Sequence, residues 1–124
     1  MFIEYEDKEV KKLFDDLNDV YNSENLMRKQ LGTELTRAVK KRYNQMMAFS
    51  SFSALQKSGI GKMESLGGSL KGSFSLRVSA NYRIIVRPKV QDLSAESLMN
   101  CDTIVIEGVV DYHGKGKKNS WLIP

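Results

Sequence analysis

Cysteine and histidine are almost absent: the chain of 124 residues has one of each, Cys101 and His113. A single thiol excludes an internal disulfide and a cysteine-rich metal site, and it fits a reducing compartment, with the cytoplasm as the expectation. Long apolar runs are missing as well. No stretch approaches the about 18 unbroken apolar residues of a membrane-spanning helix, so no membrane partner is expected. The opening residues Met1 to Lys8 are acidic where a secretory signal is basic, and a soluble, unprocessed chain is expected.

What is present suits one compact unit. At 124 residues and 41% hydrophobic, the chain is long enough for a single core and too short for two ordinary ones, so residues 1–124 read as one domain. The net charge of +4 is modest, but it is unevenly distributed. Acids outnumber bases up to Asp19, whereas the charged residues of Arg37 to Arg42 and Lys115 to Lys118 are all basic. Such clusters are either solvated faces or the electrostatic footprint of a phosphodiester backbone.

The periodicity predicts the elements in order. Phe2, Ile3 and Tyr5 start a short strand, and Asp7 caps a helix bearing Val10, Leu13, Phe14, Leu17, Val20 and Tyr21 on one stripe. Asn22, Ser23 and Asn25 loosen the pattern. Gly32-Thr33 opens a second helix with Leu35, Ala38, Val39, Met46 and Phe49 inward. From Ser50 to Gly72, serine and glycine predict a loop, interrupted by a helical turn over Ser53 to Gln56. Gly59-x-Gly61 and Gly67-Gly68 neither follow a strand nor open a helix, which excludes a nucleotide-cradling loop. Met46, Met47 and Met63 read as core filler.

After Gly72 the period becomes two. Phe74, Leu76 and Val78 alternate with Ser73, Ser75 and Arg77, Ser79-Ala80-Asn81 turns the chain, and Tyr82 to Arg87 returns until Pro88 ends it. A polar excursion from Lys89 to Cys101 leads to an apolar strand, Thr103 to Val110, whose density predicts a central position. The fold class is therefore α+β: a short N-terminal strand, two helices, then a three-stranded antiparallel run completing a small twisted sheet with the helices on one face. Beyond it lies a basic, then apolar, tail over residues 115–124, whose Trp121-Leu122-Ile123 folds back onto the domain or docks on a partner.

The last strand leads into Asp111-Tyr112-His113. An imidazole with an ordinary pKa of about 6.5 is the one group here that readily gives and takes a proton near neutrality. A carboxylate, a phenol and an imidazole in succession, with lysines close behind, suit RNA cleavage. The alternative is a surface or capping histidine after a strand.

The run Leu66-x-Gly68-x-x-Lys71-Gly72-x-Phe74-Ser75-Leu76-x-Val78-x-x-x-Tyr82-Arg83-Ile84-Ile85, with Pro88 after it and Val110-Asp111-Tyr112-His113-Gly114-Lys115 near the end, resembles the RelE/ParE superfamily of bacterial type II toxins, in its HigB-like branch. Leu31-Gly32-x-Glu34-Leu35 through Lys41-Arg42, with Phe52-Ser53-x-Leu55, is similar to the second helix and loop of that branch. The resemblance implies a RelE-like fold and a toxin of a toxin–antitoxin system. Such a toxin enters the ribosome and cuts messenger RNA, and it forms a hetero-oligomer with a cognate helix-turn-helix, HigA-like antitoxin.

The implied chemistry uses no metal and no cofactor: the ribose 2′-OH attacks the adjacent phosphorus and leaves a 2′,3′-cyclic phosphate and a 5′-OH. A base, a cation and an acid are needed. By this resemblance Arg83 stabilises the transition state, unless it is a strand residue paired across the sheet. His113 transfers protons, Tyr112 positions the ribose or acts as acid or base, and Asp111 orients His113 or contacts a base edge. Lys71, Arg77, Arg87, Lys115, Lys117 and Lys118 are candidates for the RNA backbone, and Tyr82 or Tyr112 either stacks on an unpaired base or belongs to the core.

Many relatives carry a histidine and further basic residues before the Lys-Gly pair, where this chain has Glu64, Gly67 and Leu70. The second imidazole is missing. Glu64 is then either a substitute general base, if burial raises its pKa, or a solvated loop residue. Two further readings stay open: a ParE-like toxin that inhibits DNA gyrase without cleaving RNA, and a catalytically impaired toxin fold kept for binding.

Overall fold

The computed structural model describes residues 1–19, 21–111 and 120–124. Strand β1 (Phe2–Tyr5) leads into helix α1 (Lys8–Asp15), whose start is fixed by Asp7: its Oδ1 accepts the Val10 amide at 2.9 Å. The helix predicted to reach Tyr21 stops earlier. A single 3₁₀ turn, Asp16–Asn18, follows, and a separate helix α2 (Leu26–Leu31) forms where only a loosened pattern was expected. Asn25 explains the break. Its buried Nδ2 donates to the carbonyls of Asp16 (2.5 Å) and Asp19 (2.7 Å), and its Oδ1 caps α2 by accepting from the Arg28 amide at 2.9 Å. These bonds offer the backbone a turn in place of a continued helix.

Helix α3 (Thr33–Ala48) begins after Gly32, as expected, and α4 (Phe52–Ser58) extends the predicted turn by starting on Ser51, whose Oγ accepts the Ala54 amide at 3.1 Å. Helix α5 (Ala95–Met99), capped by Ser94, occupies the segment read as a polar excursion.

The chain forms a mixed α+β fold around a six-stranded sheet. Strands β2 (Glu64–Ser65), β3 (Phe74–Arg77), β4 (Tyr82–Pro88) and β5 (Thr103–Asp111) follow one another antiparallel, and β1 lies parallel to β5. Strand β6 (Ser120–Ile123) also pairs with β5, so Trp121-Leu122-Ile123 lies on the domain's own sheet. Strand β5 is central, as its apolar density predicted: β4 runs along one edge, while β1 and β6 share the other, at Thr103 to Ile106 and Val109 to Asp111. Strands β2 and β6 lie beyond the predicted run.

Register fixes which side chain faces where. Leu76, Ile84, Val109 and Ile123 form one row across the sheet, all fully buried, in a cluster with Val10 and Phe14 of α1, Met27 of α2, Val39 and Met46 of α3, and Phe52 and Leu55 of α4. The buried apolar residues of every helix fall in this cluster, so the helices cover one face. Burying a Leu or Ile side chain of this kind contributes about 1.5–3 kcal/mol. Between Ile85 and Val86 the register shifts, leaving Glu107 as an extra residue opposite β4. The shift keeps Ile106 and Val109 both inward although they are three apart.

Candidate functional site

Side chains alternate across a strand, so the neighbours of the inward row point to the face that the helices leave uncovered. Arg77 of β3 stands directly opposite Arg83 of β4, which stands opposite Val110 of β5, which stands opposite Trp121 of β6. The adjoining row runs from Glu64 of β2 through Ser75 and Ile85 to Gly108. Arg87 and Glu107 lie on the same face. Ile85, Val105 and Val110 form a buried apolar floor there, outside the cluster under the helices.

Two guanidinium groups directly opposed on one face are unfavourable in an antiparallel pair. An anion lying between them would relieve that repulsion. Arg83 Nη1 donates to the carbonyls of Ser79 (3.0 Å), Ala80 (3.2 Å) and Tyr82 (3.2 Å), so the β3–β4 turn holds this arginine in place. Arg77 Nε is buried and finds no hydrogen-bond acceptor among the described residues. The Arg77 backbone is fixed from the helix side: Arg42 of α3 donates its Nε to the Arg77 carbonyl at 2.8 Å and an Nη1 to Gln45 at 2.6 Å. Burial holds the Arg42 guanidinium below its ordinary pKa.

The other sequence candidates divide. Glu64, read as loop or base, is an exposed residue of β2 on the arginine face and the diagonal neighbour of Arg77. Arg87 is engaged by carboxylates, with Nη2 2.8 Å from Glu6 and Nε 3.4 Å from Glu107, which leaves it less available to an outside phosphate than Arg77. Lys71 is exposed just before β3. Asp111 ends β5 opposite Tyr82, on the helix side of the sheet, so strand alternation separates it from Arg83. Tyr82 lines a cavity of about 580 Å³ with Leu31, Leu35, Ala38 and Ser79, also on the helix side, away from the arginines. Tyr112, His113, Lys115, Lys117 and Lys118 lie outside the described residues.

Glu107 and Trp121 were not singled out from the sequence for this face. The Glu107 side chain is only 14% exposed, and its Oε2 has no hydrogen-bond partner among the described residues. Its signal in the sequence was a lone acid inside an apolar strand. Trp121 was seen only as part of the tail. Among the described residues no group of three or more His, Cys, Asp or Glu side chains is arranged to hold a metal, and no helix is long and apolar enough to cross a membrane.

No family model and no curated protein matches this chain. Solved structures similar to it include a chain of the YoeB–YefM complex from Staphylococcus aureus, 18% identical with a TM-score of 0.49, covering 92% of this chain and 98% of that one. The YoeB/ParE toxin from Agrobacterium tumefaciens is 16% identical with a TM-score of 0.47, covering 92% of this chain and 100% of that one. A YafQ mutant from E. coli is 16% identical with a TM-score of 0.37 over 86% of this chain and 88% of that one.

Proposed function

We propose that this chain is a type II toxin of the RelE/ParE kind, in its HigB-like branch, and that it cleaves messenger RNA on the ribosome. The observation that carries the reading is the opposed pair Arg77 and Arg83 on the sheet face free of helices, with Glu64 diagonal to Arg77 on the same face. It is supported by the resemblance of Leu66 to Ile85 and of Asp111-Tyr112-His113 to the toxin pattern. Planar guanidinium groups offer paired donors that match phosphate oxygens.

In this reading a phosphodiester lies across Arg77 and Arg83. A base removes the proton of the ribose 2′-OH, the 2′ oxygen forms a bond to phosphorus, and the P–O5′ bond breaks as the leaving oxygen takes a proton from an acid. The products are a 2′,3′-cyclic phosphate and a 5′-OH. Arg83 neutralises the charge that develops on the phosphoryl oxygens. Glu64 serves as the base and His113 as the acid, with Tyr112 assisting. A helix-turn-helix antitoxin holds the toxin inactive in the cytoplasm.

The test is cleavage of messenger RNA on programmed ribosomes, with the new 5′ ends mapped. Arg83→Ala is expected to lower the single-turnover rate about 10²–10³-fold, the usual cost of losing one preorganised charge-stabilising donor, while the variant stays folded at the assay temperature, with a lower melting temperature from the lost bonds to the β3–β4 turn. An unchanged rate would remove Arg83 from the reaction. Inhibition of purified gyrase without RNA cuts would instead establish the ParE-like reading.

A further inference from the structure

Trp121 is the one tryptophan of the chain, and 42% of it is exposed although it lies in a paired strand. Its neighbour Ile123 does the anchoring: Ile123 is fully buried against Val109, and Gln30 of α2 donates to the Leu122 carbonyl at 3.1 Å. The indole is therefore not needed to seat β6. The register instead sets it at the end of the row Arg77–Arg83–Val110–Trp121.

We propose that Trp121 is a nucleobase-stacking residue: an unpaired base of the bound RNA lies on its indole while a neighbouring phosphate sits on Arg83 and Arg77. This rests on the reading of the arginine face as an RNA site, and it adds the part of the site that holds a base. Strands are about 4.8 Å apart, which sets Trp121 about 10 Å from Arg83 along the row. That spacing suits a phosphate at one end and the base of an adjoining nucleotide at the other. Val110, fully buried between them, places no charged side chain in the row between Arg83 and Trp121. An amphipathic ring half in water beside cations has the character of single-strand binding surfaces, where bases stack on aromatics and arginines track the backbone. Stacking accepts any base, so the contact positions RNA without reading its sequence.

Because the chain has no second tryptophan, its indole fluorescence reports this residue alone. The experiment titrates the whole protein, at low salt, with an end-labelled single-stranded oligoribonucleotide carrying 2′-O-methyl groups that block cleavage. Label anisotropy follows binding, and tryptophan emission follows stacking. The expected result is an anisotropy rise accompanied by indole quenching, with no quenching by an abasic oligonucleotide of the same length. Trp121→Ala should weaken binding about tenfold or more, and Trp121→Phe should restore most of it. Thermal melts of both variants check folding. An anisotropy rise without quenching, or with equal quenching by the abasic strand, overturns the stacking role and leaves the RNA reading standing. No anisotropy rise overturns the stacking proposal outright, while cleavage on programmed ribosomes separately decides the reaction.

Discussion

Asn25 illustrates how one polar side chain can set local structure. It is 4% exposed, satisfies two carbonyls left by the end of α1, and caps α2 with its remaining oxygen. Asn25→Ala removes the cap and leaves the Asp16 and Asp19 carbonyls with only the longer backbone bonds from the Asp19 and Asn22 amides (3.4 and 3.3 Å), so a loss of about 2–3 kcal/mol in urea unfolding is expected. Asn25→Asp keeps the cap but not the donors and should fall between; an alanine variant as stable as the parent would refute the assignment. Asp7 was legible as a cap because its signal is local, an acid just before an apolar stripe. Glu64 was not. Its membership of the arginine face depends on the pairing of β2 with β3, a register that its sequence neighbours, mostly serine and glycine, do not encode.

Among the elements, β3 was readable from alternation, β4 from its run of β-forming residues, β5 from its apolar density and α3 from its Gly-Thr start, whereas β2 and α5 were too short for any period to emerge. Helix α5 depends instead on side-chain bonds. Asp92 Oδ1 accepts the Ser94 amide at 2.9 Å and the Ser97 hydroxyl at 2.8 Å. The Ser94 hydroxyl, the Ser94 amide and the Ser97 hydroxyl hold the Asp92 carboxyl below the ordinary range. Its folded pKa is depressed, so its contribution is fully present above the unfolded value of about 3.9 and lost as pH falls through the folded value. Protection factors at α5 amides, corrected for the intrinsic pH dependence of exchange, should fall on acidification in the parent and stay level in Asp92→Asn, which should already be less protected at neutral pH. A parallel pH response in both would exclude Asp92. Strand β6 depends on Gly108, where an added Cβ would lie 1.9 Å from the Ile123 carbonyl oxygen. Gly108→Ala should therefore unseat β6 at a cost of about 2–3 kcal/mol from the exposed Ile123, seen as loss of amide protection at residues 121–123 with β4 still protected. Retained protection there would show that β5 can shift to make room.

On the scale of the whole molecule, the sheet separates two kinds of surface. The helices take the apolar face, and the arginines are left on the other, while α3 turns Arg37, Lys40 and Lys41 toward solvent, with Arg37 5.8 Å above the Tyr21 ring. Both surfaces are cationic, but only the sheet face opposes two guanidinium groups at fixed register. The α3 cations are expected to attract RNA from a distance, and the sheet arginines to act on it once bound. Lys41→Glu should then slow association and reduce its salt dependence, leaving the cleavage rate at saturating substrate within about twofold, since rim charges act mainly on the on-rate. Arg77→Gln should lower the saturated rate and flatten the plot of log affinity against log salt by about one unit, as expected for one lost phosphate contact. Stopped-flow association and single-turnover cleavage separate the two. If Lys41→Glu lowered the saturated rate as far as Arg77→Gln does, the reacting phosphate would lie against α3, and the assignment of the sheet face would have to be given up.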